Sequence, residues 1–164
     1  MTAIQPDVDA LVDRFQDAWS ARDRLAVGQL CAPDLHYEDP LTDAPLEGPD
    51  ALGDHAVRLW ATFPDVRVES TGPRLSDGRF VAAPVKATAT HRGEAGDLPP
   101  TGRFLLVHAV FFCELDEDRE RLWRVRTFFD LWDAAKQLGV LPKSGSAGER
   151  ALLLLRGFGL RGRS

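Results

Sequence analysis

Asp130 is the residue whose type and position most clearly suggest chemistry. It directly follows the run Arg124–Phe129, which is rich in β-branched and aromatic residues, ends in two phenylalanines and is typical of a β-strand. A carboxylate buried at such a point without partners is strongly unfavourable, so its presence needs a physical reason. One such reason is catalysis, because an apolar environment raises the pKa of a carboxyl group and makes it a better general base.

Two other roles stay open for Asp130. Arg126 lies four residues earlier, so a regular strand aims both side chains the same way. Either a bulge intervenes, or Arg126 enters a pocket and pairs with Asp130 or with Asp39. Asp130 also precedes a short helical segment that ends before Gly139 and Pro142, so its carboxylate could instead cap that helix.

A histidine continues the apolar face of a second predicted strand. The odd positions of residues 79–91 run from Val81 through alanines and a valine to Ala89, and His91 follows them. Successive side chains of a strand alternate between its faces, so His91 shares the inward face. Small side chains there leave room for a pocket. His91 is therefore a candidate proton donor, and the alternative is a hydrogen-bonded core histidine.

The elements that position these residues follow from periodicity. Helical spacing predicts helices over 7–23, 24–31, 49–63 and 131–138, and alternation or apolar runs predict strands over 35–39, 66–70, 79–91, 103–115 and 124–130. Helices followed by a strand meander predict an α+β fold with helices on one face of a curved antiparallel sheet. We expect one domain over residues 1–142 and a C-terminal basic helical extension over 143–164.

Composition excludes several classes of function. A net charge of −5 argues against a nucleic-acid surface. The four histidines and two cysteines show no metal-ligand spacing, so no metal is expected. Cys31 and Cys113 stand alone in apolar contexts and are expected to fill the core in a reducing cytoplasm. No secretion signal or membrane span is predicted.

The strand over 103–115 is apolar on both faces, which suits helices on one side and a second subunit on the other, so we expect a homodimer.

Several short motifs resemble the SnoaL-like polyketide cyclase branch of the nuclear transport factor 2-like superfamily. They are Ala89-Thr-His-Arg-Gly93, Pro99-Pro-Thr-Gly-Arg103, Phe128-Phe-Asp130 with Gln137-Leu-Gly139, and Phe63-Pro-Asp-Val66. The resemblance covers roughly residues 8–142. It implies a cone-shaped curved antiparallel sheet with the N-terminal helices on its concave face. It also implies that Asp130 is the catalytic acid/base and that no metal or organic cofactor is needed.

The segment from Glu38-Asp-Pro40 to Gly48 resembles that of ketosteroid isomerases, a related family whose general base is an aspartate at this point. The resemblance makes Asp39 a second catalytic candidate, with an Asp-Pro turn as the alternative. The two oxyanion donors of those isomerases correspond to Phe15 and Phe111, which cannot donate hydrogen bonds. Steroid isomerisation is therefore not expected. The Arg-x-Asp pair of the related limonene epoxide hydrolases has no counterpart either.

The resemblance implies a cyclase or isomerase that performs cofactor-free acid/base chemistry on a hydrophobic small molecule, with Asp130, His91 and Asp39 as catalytic residues. A non-catalytic small-molecule binding or regulatory module of the same fold is the alternative. Eight side chains are expected to contact the ligand: Phe15, Trp19, Tyr37, Trp60, Phe63, His108, Phe111 and Arg126.

Overall fold

The computed structural model describes residues 8–155 and shows the α+β fold that the sequence predicts. Within this range the helices are α1 (Val8–Ala21), α2 (Arg24–Gln29), α3 (Gly48–Thr62), α4 (Leu131–Gln137) and α5 (Ala147–Leu155). The strands are β1 (Cys31–Glu38), β2 (Leu46–Glu47), β3 (Arg67–Ser70), β4 (Leu75–Ser76), β5 (Phe80–Thr90), β6 (Phe104–Leu115) and β7 (Leu122–Phe129). The sequence did not predict β2 and β4, because two residues carry no periodicity. Residues 1–7 and 156–164, at the ends of the predicted domain and extension, lie outside the described residues.

The strands form one curled, open sheet in the order β2-β1-β7-β6-β5-β3, with β4 beside β5. Its longest pairing joins β5 to β6 without interruption from Phe80–Glu114 to Thr90–Phe104. All pairs are antiparallel except β1 with β7, which run parallel. The prediction of a curved antiparallel sheet is confirmed, with this parallel pair as an addition.

Alternation along β5 and β6 separates the two faces of the sheet. Odd-numbered residues of both strands point to the concave face, where Val81, Ala83, Val85 and Cys113 are buried. Helix α1 packs on this face, and the rings of Phe15 and Phe111 lie 5.4 Å apart. The core therefore lies between the helices and the concave face.

Both cysteines are core residues, as the sequence predicts. Cys31 and Cys113 are free and buried. Burial raises the pKa of each thiol to about 12, so neither carries thiolate at neutral pH.

Helix α4 lies over the end of the concave face and is held there by polar contacts. The side chain of Gln137 donates to the carbonyl of Leu106 and accepts from its N–H, both at 2.9 Å. The Arg103 guanidinium lies over Gly139, where a Cβ would come within 2.7 Å of its carbon. Gly139 has a φ of 76°, so it ends the helix in the left-handed conformation that glycine favours.

The loop after β5 is fixed to the end of α3. The N–H groups of Arg92 and Gly93 both donate to the carbonyl of Thr62 at 3.0 Å. The Thr62 hydroxyl donates to the carbonyl of Glu94 at 2.9 Å. At Gly93 the approach is so close that a Cβ would lie 1.9 Å from the carbonyl oxygen of Ala61.

None of the helices within residues 8–155 is long and apolar enough to cross a lipid bilayer.

Replacing Gly93 with alanine should destabilise the fold, because the new Cβ overlaps backbone that has no room to move. We expect the free energy of unfolding to fall by about 1–3 kcal/mol, measured by urea denaturation. Gly72→Ala is the matched control, since its Cβ would meet only Pro84 at an ordinary 3.7 Å. Equal stability of the two variants would contradict the prediction.

Candidate functional site

A cavity of about 240 Å³ lies between the helices and the concave face. This volume is just below the range of about 300–1,000 Å³ that is typical of small-molecule sites. Its walls are almost wholly apolar: Trp19 from α1; Leu59, Trp60 and Phe63 from α3 and its C-cap; Val66 and Val68 from β3 and the turn before it; Val85, Ala87 and Ala89 from β5; Leu105, Val107, Ala109 and Phe111 from β6; Phe129 from β7; and Leu131, Ala134, Ala135, Leu138 and Val140 from α4 and the segment after it. Such a lining selects an apolar ligand.

One corner of the cavity is polar. It is formed by Tyr37, Asp39 and Thr127, with Leu41 beside them. Asp39 supplies the only carboxylate that lines the cavity within the described part of the chain.

Asp39 is buried, and its carboxylate accepts three hydrogen bonds. Its side chain is 3% exposed. Oδ2 accepts from Nε2 of His55 at 2.7 Å and from the hydroxyl of Tyr37 at 3.0 Å. Oδ1 accepts from the N–H of Leu41 at 2.7 Å. An ionised carboxylate only accepts, so the proton of the His55 contact lies on Nε2.

The surroundings of Asp39 favour its ionised form. Burial by itself would raise the pKa of Asp39, but the hydrogen bond and attraction of His55, together with the bonds from Leu41 and Tyr37, hold this pKa below 3.8. Burial raises the pKa of Tyr37 well above 10.0, and the charge of Asp39 adds to the effect. Tyr37 therefore stays protonated and donates to Asp39. The Tyr37 oxygen lies 3.3 Å from Oγ1 of Thr127. Because the Tyr37 proton is directed to Asp39, the Thr127 hydroxyl is the donor of that second contact.

Local sequence explains how these residues meet. Leu35 and Tyr37 are the inward residues of β1, and Asp39 continues their parity just beyond the strand. Pro40 ends the run, and the chain returns through β2 to α3, whose second residue is Pro49. His55 is buried on the face of α3 that turns toward β1.

Six of the predicted site residues line the cavity: Trp19, Tyr37, Asp39, Trp60, Phe63 and Phe111. The other five do not. Phe15 lies behind the wall, fully buried against Trp19 and Phe111. The remaining four are His91, His108, Arg126 and Asp130.

Asp130 is exposed rather than buried in an apolar pocket. Its Oδ1 accepts from the N–H of Asp133 at 2.9 Å and caps α4. This is the capping role that the sequence left open. Because Thr127 and Phe129 face the cavity, the parity of β7 aims Asp130 to the other side.

The same parity places Arg126 outside. Its Nε donates to Glu38 at 3.3 Å across the β1–β7 pair, and the ion pairs of the described residues link it to neither Asp130 nor Asp39. His108 lies on the outer face of β6 and is exposed. Their expected contact with a ligand in the cavity is therefore not seen.

His91 is fully buried beside the cavity but does not line it. Its Nδ1 accepts from the N–H of Thr101 at 3.2 Å, and its ring lies 5.6 Å from that of Phe63. This is the core-histidine alternative. Among the described hydrogen bonds, none joins His91 to Asp130.

Sequence reasoning missed His55. The signal was present, because His55 lies three residues after Leu52 and four before Leu59, on the apolar stripe of α3. A histidine on such a stripe needs a buried partner. Within residues 8–155, no group of three or more histidine, cysteine or acidic residues is arranged to hold a metal ion.

Comparisons with known proteins agree with this architecture. The sequence profile of the SnoaL-like polyketide cyclase family matches residues 9–138. A search of curated proteins finds no match. AclR, a candidate hydroxylase from Streptomyces galilaeus, is 21% identical, with a TM-score of 0.73 over 94% of each chain.

Two further solved structures are similar. A candidate SnoaL-like polyketide cyclase from Jannaschia sp. CCS1 is 21% identical, with a TM-score of 0.74 over 87% of this chain and 98% of its own. IdmH from Streptomyces antibioticus, a candidate polyketide cyclase, is 22% identical, with a TM-score of 0.70 over 81% of this chain and 99% of its own. At these identities the likeness establishes the fold.

The Asp39 contacts should make stability depend on pH in a defined direction. The folded pKa lies below 3.8, so the stabilisation is present above that pH and is lost as pH falls through the folded pKa. At neutral pH Asp39→Asn should lower the free energy of unfolding by about 1–3 kcal/mol. The difference in the free energy of unfolding between this variant and the wild type should narrow in acid, as measured by urea denaturation at a series of pH values.

Asp43→Asn is the control, because it removes an exposed carboxylate from the same loop. This variant should stay near the wild type throughout. A gap for Asp39→Asn that is constant down to the acid limit would contradict the assignment.

Proposed function

The chain belongs to the SnoaL-like polyketide cyclase family, as its short motifs predict, and from this premise we propose that it catalyses cofactor-free acid/base chemistry next to a carbonyl of a hydrophobic small molecule. The reaction is an intramolecular aldol-type ring closure or a proton transfer, with Asp39 as the base. The observation that carries this proposal is the buried carboxylate of Asp39 at the polar corner of the apolar cavity.

The two oxygens of Asp39 suit different tasks. Oδ2 already accepts from His55 and Tyr37, whereas Oδ1 accepts one backbone bond. Oδ1 therefore has the greater capacity to take a proton. His55 and Tyr37 hold the carboxylate in position, which is the condition for a positioned base to contribute about 10²–10⁴-fold.

The lowered pKa of Asp39 narrows the substrate class. A carboxylate of low pKa is a weak base, so the carbon acid must itself be acidic. A C–H between two carbonyl groups, as in a poly-β-ketone, meets this need. Its proton passes to Asp39, the electron pair becomes an enolate, and the enolate carbon forms a bond to a second carbonyl carbon. The oxygen of that second carbonyl then takes the proton from Asp39.

The apolar walls supply the second part of the catalysis. Holding both ends of one flexible molecule together can contribute more than the base, because it removes the entropy of their encounter. The aromatic side chains of Trp19, Trp60 and Phe129 line the same cavity and favour a folded, ring-forming conformer.

Non-catalytic binding of a small molecule is the second candidate. The observation in its favour is that Asp39 makes three hydrogen bonds and has a lowered pKa, which also suits a purely structural carboxylate. Native mass spectrometry of the freshly purified protein, followed by denaturing extraction, identifies any compound it carries. A polycarbonyl compound that the protein converts supports catalysis, and one that it returns unchanged supports binding alone.

Deuterium exchange separates these possibilities without the natural substrate. The wild type should accelerate exchange at C1 of 2-tetralone in D₂O, as followed by NMR. Asp39→Asn should slow the catalysed rate by about 10²-fold or more, because the amide cannot accept the proton. Asp130→Asn should stay within about twofold, since asparagine also caps helices and the site is exposed.

The reverse pattern, with exchange lost only in Asp130→Asn, would return the role of base to Asp130. Catalysed exchange that survives in both variants would remove the carboxylates from the mechanism. A wild type that does not accelerate exchange would favour the binding module. Circular dichroism of both variants checks that they are folded.

We also propose that the protein is a homodimer through the outer face of the sheet. An outer apolar patch of Phe104, Leu106, Val110, Phe112 and Phe128 is exposed there, and Phe112 is 40% exposed. Ion pairs on either side, Arg126–Glu38 and Lys86–Glu69, already neutralise the nearby charges. The centre of the patch is therefore complementary to a second copy of itself.

Phe112→Glu should convert the dimer to a monomer, because it places unpaired charge at the centre of the patch. Light scattering after gel filtration should give twice the 18.1 kDa chain mass for the wild type and one chain mass for the variant. Leu25→Glu, at an exposed apolar residue of α2, should leave the mass at the dimer value. A monomeric wild type would overturn this proposal.

A further inference from the structure

Two hydrogen-bond donors in the cavity wall have no acceptor within the described part of the chain. The indole N–H groups of Trp19 and Trp60 are buried and find no acceptor among the described residues. Trp19 is 6% exposed and Trp60 7%. A buried, unpaired donor is costly and needs an explanation.

Both indoles belong to one cluster in the cavity wall. Their rings meet edge to face with centroids 5.7 Å apart, and both side chains line the cavity. They come from separate helices, α1 and α3, so the cluster is held from two sides. The ring contact holds each indole against the other.

Other unpaired donors do not share this position. Buried side-chain N–H groups of Gln16, Arg74 and His91 also find no acceptor among the described residues. None of these three residues lines the cavity. A ligand in the cavity therefore contacts these two tryptophan side chains but not the other three residues.

We infer that Trp19 and Trp60 are specificity-determining donors that bind a carbonyl or phenolate oxygen of the ligand. A tryptophan N–H donates and never accepts, so the group it recognises must be an acceptor. Elsewhere on the wall Asp39 is an acceptor only. The cavity thus offers donors to a ligand oxygen at the tryptophan cluster and an acceptor to a ligand proton at the polar corner.

This inference deepens the proposed function, because it rests on the cavity binding an apolar molecule. It adds that two tryptophan side chains bind an oxygen of that molecule. The hydrocarbon that lacks this oxygen should bind more weakly, because it leaves both buried donors unpaired.

A binding experiment with a matched pair of ligands tests the inference. The probes are 2-tetralone and tetralin, which share a bicyclic skeleton and differ in the carbonyl, titrated by ligand-observed NMR. The wild type should bind 2-tetralone about threefold to tenfold more tightly, as one or two neutral hydrogen bonds provide. The Trp19→Phe, Trp60→Phe double variant should bind both probes equally, because phenylalanine keeps the aromatic wall and removes the donors.

Trp123→Phe is the control, since that indole already donates to Asp34 at 3.1 Å and lies outside the cavity lining. It should keep the preference for the ketone. A preference that survives in the double variant, or a wild type that binds both probes equally, would overturn the role of the tryptophans and leave the proposed function standing. A wild type that binds neither probe would overturn both.

Discussion

The site depends on one requirement, that the carboxylate of Asp39 stay satisfied in an otherwise apolar cavity. Three separate parts of the chain meet it: Tyr37 from β1, His55 from α3 and the N–H of Leu41 from the loop between them. Each donor fixes one element relative to the others. The bonds that lower the pKa of Asp39 thus also set the position of α3, and with it the wall that Trp60 and Phe63 form.

The sheet could be read from the sequence because its signal is local. Alternation over β5 assigned the alanines to the inward face, and two of them, Ala87 and Ala89, line the cavity. Alternation along β7 also grouped Asp130 with Arg126 on one face of the sheet, and the two side chains are both exposed. The sequence prediction placed that pair inward, whereas both side chains are exposed in the structure, because nothing within β7 says which face is covered. That choice is made by α1 and α3, whose tryptophans share the cavity wall with Thr127 and Phe129 although both helices lie far from β7 in the sequence.

The polar corner was harder to predict because it is assembled from distant residues. Asp39 and His55 are separated by a turn, a short strand and two helical turns, and the parallel pairing of β1 with β7 brings in Thr127 from the far end of the chain. A histidine within an apolar stripe was the one local clue. Resemblance to ketosteroid isomerases pointed to Asp39 itself but could not supply its partner.

The contact of Gln137 with Leu106 has a consequence for the behaviour of the chain at high concentration. Pairing of β6 with β7 begins at Ala109–Phe129, so residues 104–108 have β5 on one side and no described strand on the other. A free strand edge invites pairing with another chain, which leads to aggregation. The Gln137 amide presents the same donor and acceptor as a peptide group and occupies the backbone of Leu106. A single side chain thereby occupies the peptide groups of one residue on an edge that would otherwise be free to act as a template for β-sheet growth.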